Sequence, residues 1–492
     1  MAYTESHVST TNTAFRYALV AALAAAYILA AYALGSGTPL GGVILAILVG
    51  GPIGFLLWLR WPIILPFGIY VVLVPFDNLL SIGSFGTLTK LLGLVAGVAL
   101  FLALLARQKF VSPTPAVLVL FGLLAWMAMT ITWSVDTGDA LKIMPTYFAI
   151  FALYAILAIA PPNRAEFKMT MLLVVVGGVA AALYGINLFY HDPSLAADPE
   201  KTRLVLHTDS ATIDPNQFSD ALLFPAALIT MWGLRSGRML IKAIAFGGLS
   251  VLAVGILVSG SREALLALGL MMGYFAFRSR YRAQLLVPFA ALCVALISTQ
   301  SSIWDRFTKL FSTGGAGRAD IWKVGIEAAK HRPIQGYGIG NFQDAYDIFY
   351  LRIHQTYPYG FSSPAHNLVF HYVVELGVIG FAIMIAWFWL NVKVLRSIPP
   401  ENEWYDHRIA MEAGFLGVLT VSLTIDLFTY KYAWLVFMLI VMLGNIAKAA
   451  QSANAQRDLR HDAGAIGAVA QAPPALEPNL SPFGRRQSSE LA

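Results

Sequence analysis

Residues 366–389 read HNLVFHYVVELGVIGFAIMIAWFW, and a polar stretch, residues 300–365, comes directly before them. The apolar stretch is long enough to cross a lipid bilayer as a helix, which takes about 20 residues. No other polar stretch between apolar segments of this chain is as long as residues 300–365. A long loop between packed helices more often has a function than lacks one. We therefore expect a functional site where this loop meets this helix.

The composition of the chain is that of a membrane protein with many spans. Of its 492 residues, 58% are hydrophobic and 12% are charged, about half the charged fraction of a soluble domain. The net charge of +6 fits the positive bias of cytoplasmic membrane loops better than a nucleic-acid partner. The single cysteine, Cys293, excludes an intrachain disulfide. Residues 1–14 are polar and no cleavage site follows a short apolar core, which indicates a retained first span.

Apolar stretches of spanning length predict an all-α polytopic membrane protein with about fourteen transmembrane helices, or twelve at the lower limit. The first eleven fall in residues 15–299 and the last three in residues 366–450, with the long helical loop 300–365 between them. The predicted spans are residues 15–34, 40–59, 62–76, 88–106, 114–133, 142–160, 168–190, 216–234, 239–258, 263–277, 283–299, 366–390, 409–428 and 432–449. The third is short and contains three prolines, so a re-entrant segment is an alternative for it.

The distribution of Lys and Arg predicts which side each loop faces. With the N-terminus inside, the cytoplasmic side collects most of the cations in short loops. This arrangement places residues 1–14 in the cytoplasm and the loop 300–365 in the periplasm of a bacterial inner (cytoplasmic) membrane. Residues 451–492 are rich in Ala, Pro, Ser and Gln, which predicts a disordered cytoplasmic tail.

Three short motifs accompany the long loop. Residues 259–265, SGSREAL, open one predicted span. Within the loop, residues 317–322, GRADIW, precede residues 331–338, HRPIQGYG, and residues 365–380 carry HN followed by ELG and a further glycine. In order and spacing these motifs resemble those of the O-antigen ligase / O-antigen polymerase superfamily, over roughly residues 210–390. They do not distinguish a ligase from a polymerase.

The resemblance implies a membrane glycosyltransferase of lipopolysaccharide or exopolysaccharide biosynthesis that uses no cofactor. Its donor would be a glycan linked to undecaprenyl pyrophosphate, and a hydroxyl of the acceptor glycan would attack it at the periplasmic face. Polymerisation of O-antigen or exopolysaccharide repeats is slightly favoured by the count of fourteen spans, whereas a ligase would use lipid A core as the acceptor. The pyrophosphate is an activated leaving group, so arginines that neutralise its charge would remove the need for a metal ion.

Two arginines are the candidate ligands of the donor pyrophosphate. Ser261 is a plausible helix N-cap, which puts Arg262 in the first turn. Arg318 follows a run of glycines and begins a helix predicted over about residues 319–329. A cation at a helix N-terminus opposes the helix dipole and needs an anion nearby, and a guanidinium fork matches phosphate oxygens. The alternatives are contacts of Arg262 with lipid headgroups or Glu263, and an ordinary surface charge for Arg318.

His366 is the candidate catalytic residue. Ser363 is expected to be the N-cap of the following span and Pro364 its first helical residue, which would place His366 in the first turn. The positive end of a helix favours a neutral imidazole. Such an imidazole acts either as a general base toward a sugar hydroxyl or as a group that orients it. An interfacial structural histidine is the alternative.

Four further residues are candidates for supporting roles. Asn367 adjoins His366, and Arg332 lies in the loop as a rim charge. Asn216 belongs to the run Asp214-Pro215-Asn216-Gln217, which resembles the polar entry of that family's helix and could line the acceptor site, although capping of the predicted span is the simpler role. Glu375 lies deep in a predicted span, where an ionisable group needs a partner, so a structural role is favoured over a catalytic one. The nine histidines show no spacing typical of metal ligands.

The remainder of the loop also gives two predictions. Trp322, Ile326 and Ala329 share one face of the helix that follows Arg318, and this face is expected to lie on the membrane surface. The glycines of residues 336–340 do not have the spacing of a nucleotide-binding loop and no strand precedes them, so they are interpreted as tight turns.

A transporter of a small anion such as bicarbonate is the alternative from another class, because some members of the superfamily are described as carriers of inorganic carbon. Transporters usually show internal symmetry and ionisable residues at mid-membrane depth. Here no internal repeat is evident, and the main deep acids are Glu375 and Asp426. The other polar candidates lie at the ends of predicted spans, which favours the enzyme.

Overall fold

The fold was analysed in a computed structural model of the chain. The structure describes Trp58 and residues 63–80, 87–107, 110–191, 206–208, 211–285, 318–353 and 362–470. Its helices are α1 (Phe67–Leu73), α2 (Leu88–Arg107), α3 (Pro115–Thr130), α4 (Thr137–Ile159), α5 (Arg164–His191), α6 (Pro215–Arg235), α7 (Met239–Ser259), α8 (Arg262–Arg278), α9 (Arg318–His331), α10 (Phe342–Ile353), α11 (Leu368–Arg396), α12 (Tyr405–Ser422) and α13 (Lys431–Ala470). Two short antiparallel strands, β1 (Leu206–Thr208) and β2 (Ala211–Ile213), precede α6. The predicted helical class is therefore confirmed for the described residues, apart from this hairpin.

Seven helices in the described part of the chain are long and apolar enough to cross a membrane, judged by length and composition. They are α2, α3 with the 3₁₀ turn after it, α4, α5, α7, α11 and residues 431–452 of α13. Each coincides with a span predicted from the sequence. These helices indicate a membrane protein with several spans, but they do not confirm a count of fourteen.

The remaining seven predicted spans fall into three groups. Residues 62–76 contain only the seven-residue α1, which passes into a 3₁₀ turn at Val74 and is too short to span. Helices are also present at the predicted spans 216–234, 263–277 and 409–428, but they are not among the seven that are long and apolar enough to cross a membrane. For example, α8 has only 17 residues, and α12 has the polar residues Asp406-His407-Arg408 in its first turn. Apart from Trp58 and residues 283–285, the predicted spans 15–34, 40–59 and 283–299 lie outside the described residues.

Helix α6 lies at the centre of the bundle. Nearly all of its residues are buried, including Asp220, and it packs against α5, α7, α8 and α12. Asp214 caps its N-terminus by accepting a hydrogen bond of 2.8 Å from the backbone N–H of Asn216, as the sequence predicted. The polar start of α6 therefore leads from the protein surface directly into the bundle.

The last helix is longer than the sequence predicted. Helix α13 continues to Ala470, so residues 451–470 are helical and the prediction of a disordered tail from residue 451 was wrong for them. Many of these residues are Ala, which has the highest intrinsic helix propensity. Residues 471–492 and the predicted cytoplasmic segment 1–14 lie outside the described residues.

Helices α9 and α10 belong to the predicted long loop and pack together against α11. Their shared core includes Val324, Ala328, Phe342 and Tyr350, all buried. Ile326 of the predicted apolar face of α9 is 43% exposed and lies outside this core, so the contact of that face with the membrane surface stays a prediction. Apolar residues occur on two faces of α9, and contact with α10 and α11 decides which one is buried.

The segment before α10 docks into a break in α11. Gly377 leaves the helical conformation with φ 66° and ψ −175°, which frees backbone groups of the helix around it. The backbone N–H groups of Tyr337 and Gly338 donate to the carbonyls of Val374 and Glu375 at 2.9 and 2.8 Å, and Val378 N–H donates to the Pro333 carbonyl at 2.8 Å. The two glycine motifs thus hold each other by backbone hydrogen bonds.

Replacing Gly377 by alanine is expected to lower the free energy of unfolding by about 3 kcal/mol or more. A Cβ at this position would lie 2.0 Å from the carbonyl oxygen of Ile334, and the backbone conformation is one that is essentially restricted to glycine. Thermal unfolding in detergent measures the effect. Gly122→Ala is the matched control, because nothing lies within 4 Å of its Cβ position; equal melting temperatures for the two variants would contradict the docking.

Candidate functional site

An ion pair joins the start of α9 to the start of α8. Arg318 Nη2 lies 3.6 Å from Glu263 Oε1, with side chains 22% and 12% exposed. Arg318 is the first residue of α9, and Glu263 lies in the first turn of α8 beside Arg262. The structure therefore brings together the regions of the two arginines that were predicted to bind pyrophosphate.

His366 lies close enough to this ion pair to interact with both of its charges. Burial lowers the pKa of the His366 imidazole below its usual 6.5, and the positive charge of Arg318 lowers it further, whereas Asp214 and Glu263 act in the opposite direction. A lowered pKa favours the neutral imidazole at pH 7, and the catalytic role of His366 stays a prediction. We refer to Asp214, Asp220, Arg262, Glu263, Arg318 and His366 as the Arg318 cluster.

The Arg318 cluster lies at the N-terminal ends of α6, α8, α9 and α11. Their caps satisfy part of the free backbone N–H groups: Asp214 caps α6, Ser261 accepts from Ala264 N–H at 3.4 Å, and Asn367 caps α11. Each helix N-terminus carries a partial positive charge. Together with Arg318 and Arg262 they make a region that favours an anionic group such as phosphate.

The placement of His366 differs from the prediction. Helix α11 begins at Leu368, and Asn367 is its N-cap, with the side-chain oxygen accepting from Val369 and Phe370 N–H at 2.9 and 3.1 Å. His366 therefore precedes the helix, in a left-handed backbone conformation with φ 47°, and is not in the first turn. Asn367 satisfies two helix N–H groups at once, which explains why it takes the cap position in place of Ser363.

The contacts around His366 fix its backbone. Trp322 of α9 donates through Nε1 to the carbonyl of Ala365 at 3.1 Å, and its ring stacks on Phe370 at a centroid distance of 5.3 Å. Asn367 also donates through Nδ2 to the carbonyl of Leu423 at 2.8 Å. The residue before His366 and the residue after it are thus both held, so the backbone at His366 is fixed on both sides.

Part of the chain matches a known protein family. Residues 247–385 match the family model described as O-antigen ligase. This segment is similar to the O-antigen ligase family. The match confirms the resemblance seen in the motifs and supports a membrane enzyme acting on lipid-linked glycans, in a family of the inner membrane. No curated protein matches the chain significantly.

Within residues 247–385, Glu375 makes contacts that hold the loop, and the structural role predicted for it stays a prediction. Its Oε1 accepts a hydrogen bond of 3.1 Å from the backbone N–H of Phe342 at the start of α10. Its Oε2 lies 3.3 Å from His371 Nε2, and His371 Nδ1 lies 3.3 Å from Asp426 Oδ2. This buried chain holds the loop to α11 and is separate in its contacts from the Arg318 cluster.

Arg332 also makes contacts outside the Arg318 cluster. Its guanidinium lies over the ring of Tyr337, 4.8 Å from the centroid, and Nη1 donates to the carbonyl of Trp133 at 3.4 Å. These contacts tie the loop to the end of α3. Asn216, in contrast, lies in the first turn of α6 beside the cap Asp214, at the edge of the cluster.

Two carboxylates of the Arg318 cluster were not predicted as part of it. Glu263 was considered only as a neighbour of Arg262, and the sequence does not show that α9 brings Arg318 to it. Asp220 was overlooked, although it is the one acidic residue within the apolar stretch 216–234. An ionisable residue inside an apolar stretch is itself a signal of function, and that signal would have found it.

Proposed function

We propose that the chain is a membrane glycosyltransferase that moves a glycan from undecaprenyl pyrophosphate to a hydroxyl of an acceptor glycan. The observation that carries this proposal is the neutral His366 beside the Arg318–Glu263 pair, where four helices begin. The family match at residues 247–385 supports the same class of reaction. The proposal requires that the cluster face the periplasm and that both chain termini lie in the cytoplasm.

Arg318 and Arg262 are proposed to bind the pyrophosphate of the donor. A guanidinium fork donates two parallel hydrogen bonds to phosphate oxygens. Glu263 is an anion beside Arg318, and the N–O distance of 3.6 Å is longer than that of a strong ion pair. A pyrophosphate with more charge can therefore displace Glu263 from Arg318 at a small cost.

His366 is proposed to act on the acceptor. The acceptor oxygen forms a bond to the anomeric carbon of the donor glycan, and the bond from that carbon to the pyrophosphate oxygen breaks with its electron pair on the phosphate. The hydroxyl proton passes to the neutral imidazole of His366. Arg318 and Arg262 stabilise the negative charge that develops on the leaving group, so transfer is expected to continue in the presence of a chelator.

The span count does not identify the class of acceptor, which has to be determined by experiment. The slight preference for a polymerase rested on fourteen spans, and seven are supported in the described residues. A polymerase would extend a second lipid-linked repeat, and a ligase would use lipid A core. Both acceptors are compatible with a neutral imidazole next to a pyrophosphate site.

The transporter alternative would use the buried chain Glu375–His371–Asp426, since such chains serve ion pathways in membranes. However, Glu375 already receives the N–H of Phe342, which ties it to the loop. A vesicle uptake assay with labelled bicarbonate separates the two functions. Uptake that persists in the His366→Ala variant would favour transport.

A reconstituted assay tests the proposed function. The purified protein in lipid vesicles receives undecaprenyl-pyrophosphate-linked repeat units and a chelator, without nucleotide, and the glycans are separated on a gel. A ladder of longer glycans identifies a polymerase, and transfer that appears only after addition of lipid A core identifies a ligase. No transfer to either acceptor would contradict the proposal.

A further inference from the structure

Asp220 is a buried carboxylate without hydrogen bonds. It lies in α6, one turn inward from Asn216, and is 4% exposed. Neither of its carboxylate oxygens has a hydrogen-bond partner among the described residues. A buried polar group in this state is costly, and native proteins keep such groups where a ligand or a reaction uses them.

The surroundings of Asp220 are those of the Arg318 cluster. Its carboxylate interacts with the like charges of Glu263 and Asp214 and with the opposite charge of Arg318. The hydroxyl of Tyr432 also interacts with Asp220, and this hydroxyl is likewise buried without a hydrogen-bond partner among the described residues. Two unsatisfied polar groups on different helices, α6 and α13, thus adjoin the inner side of the cluster.

The chemistry of these two groups favours a neutral ligand with hydroxyl groups. A carboxyl group brings no positive charge to a phosphate and repels it when ionised, so Asp220 does not fit the pyrophosphate that the arginines attract. Sugar hydroxyls both donate to a carboxylate and accept from a tyrosine hydroxyl. The described residues also contain no group of three or more His, Cys, Asp or Glu arranged to hold a metal ion.

We propose that Asp220 binds a sugar hydroxyl at the reacting centre and positions the saccharide for transfer, an inference that rests on the proposed function. Asp220 precedes the matched segment 247–385, so the family match does not include it. Asp220 lies on α6 one turn beyond Asn216 and is buried, so a saccharide that binds it reaches beyond the polar start of α6. The saccharide is either the acceptor or the glycan of the donor.

Binding and turnover of Asp220→Asn and Asp220→Ala test this role. The first probe is the free repeat-unit oligosaccharide, whose affinity is measured by calorimetry without any reaction. We expect the alanine variant to weaken its binding about tenfold or more and the asparagine variant to weaken it less, because the amide oxygen still accepts a hydrogen bond. Affinity for sugar-free undecaprenyl pyrophosphate is expected to stay within about twofold, since the phosphates are held by arginines and not by Asp220.

Turnover then assigns the saccharide. If Asp220→Ala raises the KM of the acceptor and not that of the donor, Asp220 binds the acceptor; the reverse result assigns the donor glycan. Unchanged oligosaccharide affinity in a folded variant, or an equal loss of lipid pyrophosphate binding, would overturn the proposal. If Asp220→Ala does not fold, Asp220→Asn and Asp220→Ser are compared in its place.

A matched control shows whether loss of a buried acid has a general effect. Glu166 is fully buried and pairs with Arg107 at 2.6 Å, and Glu166→Gln is expected to leave oligosaccharide affinity unchanged. A loss in that variant as large as in Asp220→Ala would contradict a specific role for Asp220. The calorimetric measurement of oligosaccharide binding does not depend on turnover. Failure of the transfer reaction in the wild-type protein would therefore disprove the proposed function, whereas unchanged oligosaccharide affinity in the Asp220 variants would disprove the role of Asp220.

Discussion

Replacing Arg318 by glutamine is expected to lower kcat/KM for the lipid-linked donor by about 100-fold or more, because removal of one preorganised group that stabilises developing charge typically has this effect. Arg318 is the charged group that the structure places beside both Glu263 and His366. Arg318→Lys keeps the charge and loses the planar fork, so it is expected to recover only part of the rate. Initial rates in reconstituted vesicles measure the difference.

Arg332→Gln is the control for the Arg318 variants. Arg332 belongs to the same loop, but its guanidinium contacts Tyr337 and the carbonyl of Trp133 and not the Arg318 cluster. We expect its kcat/KM to remain within about threefold of the wild-type value, as for a loop charge outside the site. Equal losses in the two glutamine variants would show that loop charge in general, rather than the cluster, drives the reaction.

Replacing His366 by alanine is expected to reduce kcat by about 100-fold or more, the usual contribution of a general base. The pH profile gives a sharper test. Burial and Arg318 lower the pKa of His366, so the rate of the wild-type enzyme should be constant near pH 7 and fall with decreasing pH, with a midpoint below 6.5. Protonation of His366 removes the lone pair that accepts the hydroxyl proton, so the rate decreases as the pH decreases.

The residual activity of Arg318→Gln connects the two predictions. Without the positive charge of Arg318, one of the two causes that lower the pKa of His366 is gone, so the midpoint of the pH profile should move upward. His331→Ala is the control, because the exposed His331 contacts Glu327 of its own helix. An unchanged midpoint of the pH profile in Arg318→Gln would contradict the assignment of this midpoint to His366. Loss of the midpoint in His331→Ala would contradict it as well.

Local signals in the sequence predicted the helix starts of the site well. Ser261 caps α8 and puts Arg262 in its first turn, and Asp214 caps α6, because each cap depends only on the few residues after it. Only the motif resemblance indicated that Arg318 and His366 belong to one site. The roles of these residues in pyrophosphate binding and proton transfer stay predictions.

The parts that were missed depend on contacts between distant residues. The sequence indicated tight turns for Gly336 and Gly338, and both have positive φ, but it gave no sign that this segment docks at Gly377. The sequence indicated Ser363 as the cap of α11, but the helix begins later and Asn367 is its cap. The buried face of α9 was likewise decided by α10 and α11, which periodicity within α9 does not reveal.

The most direct measurement is the binding of labelled undecaprenyl pyrophosphate to the purified protein, compared with undecaprenol, for the wild type and for Arg318→Gln. The account predicts that the wild type prefers the pyrophosphate by about 100-fold or more and that Arg318→Gln loses most of this preference while binding undecaprenol as before. Equal affinity of the wild type for the two lipids, or an unchanged preference in Arg318→Gln, would contradict the account.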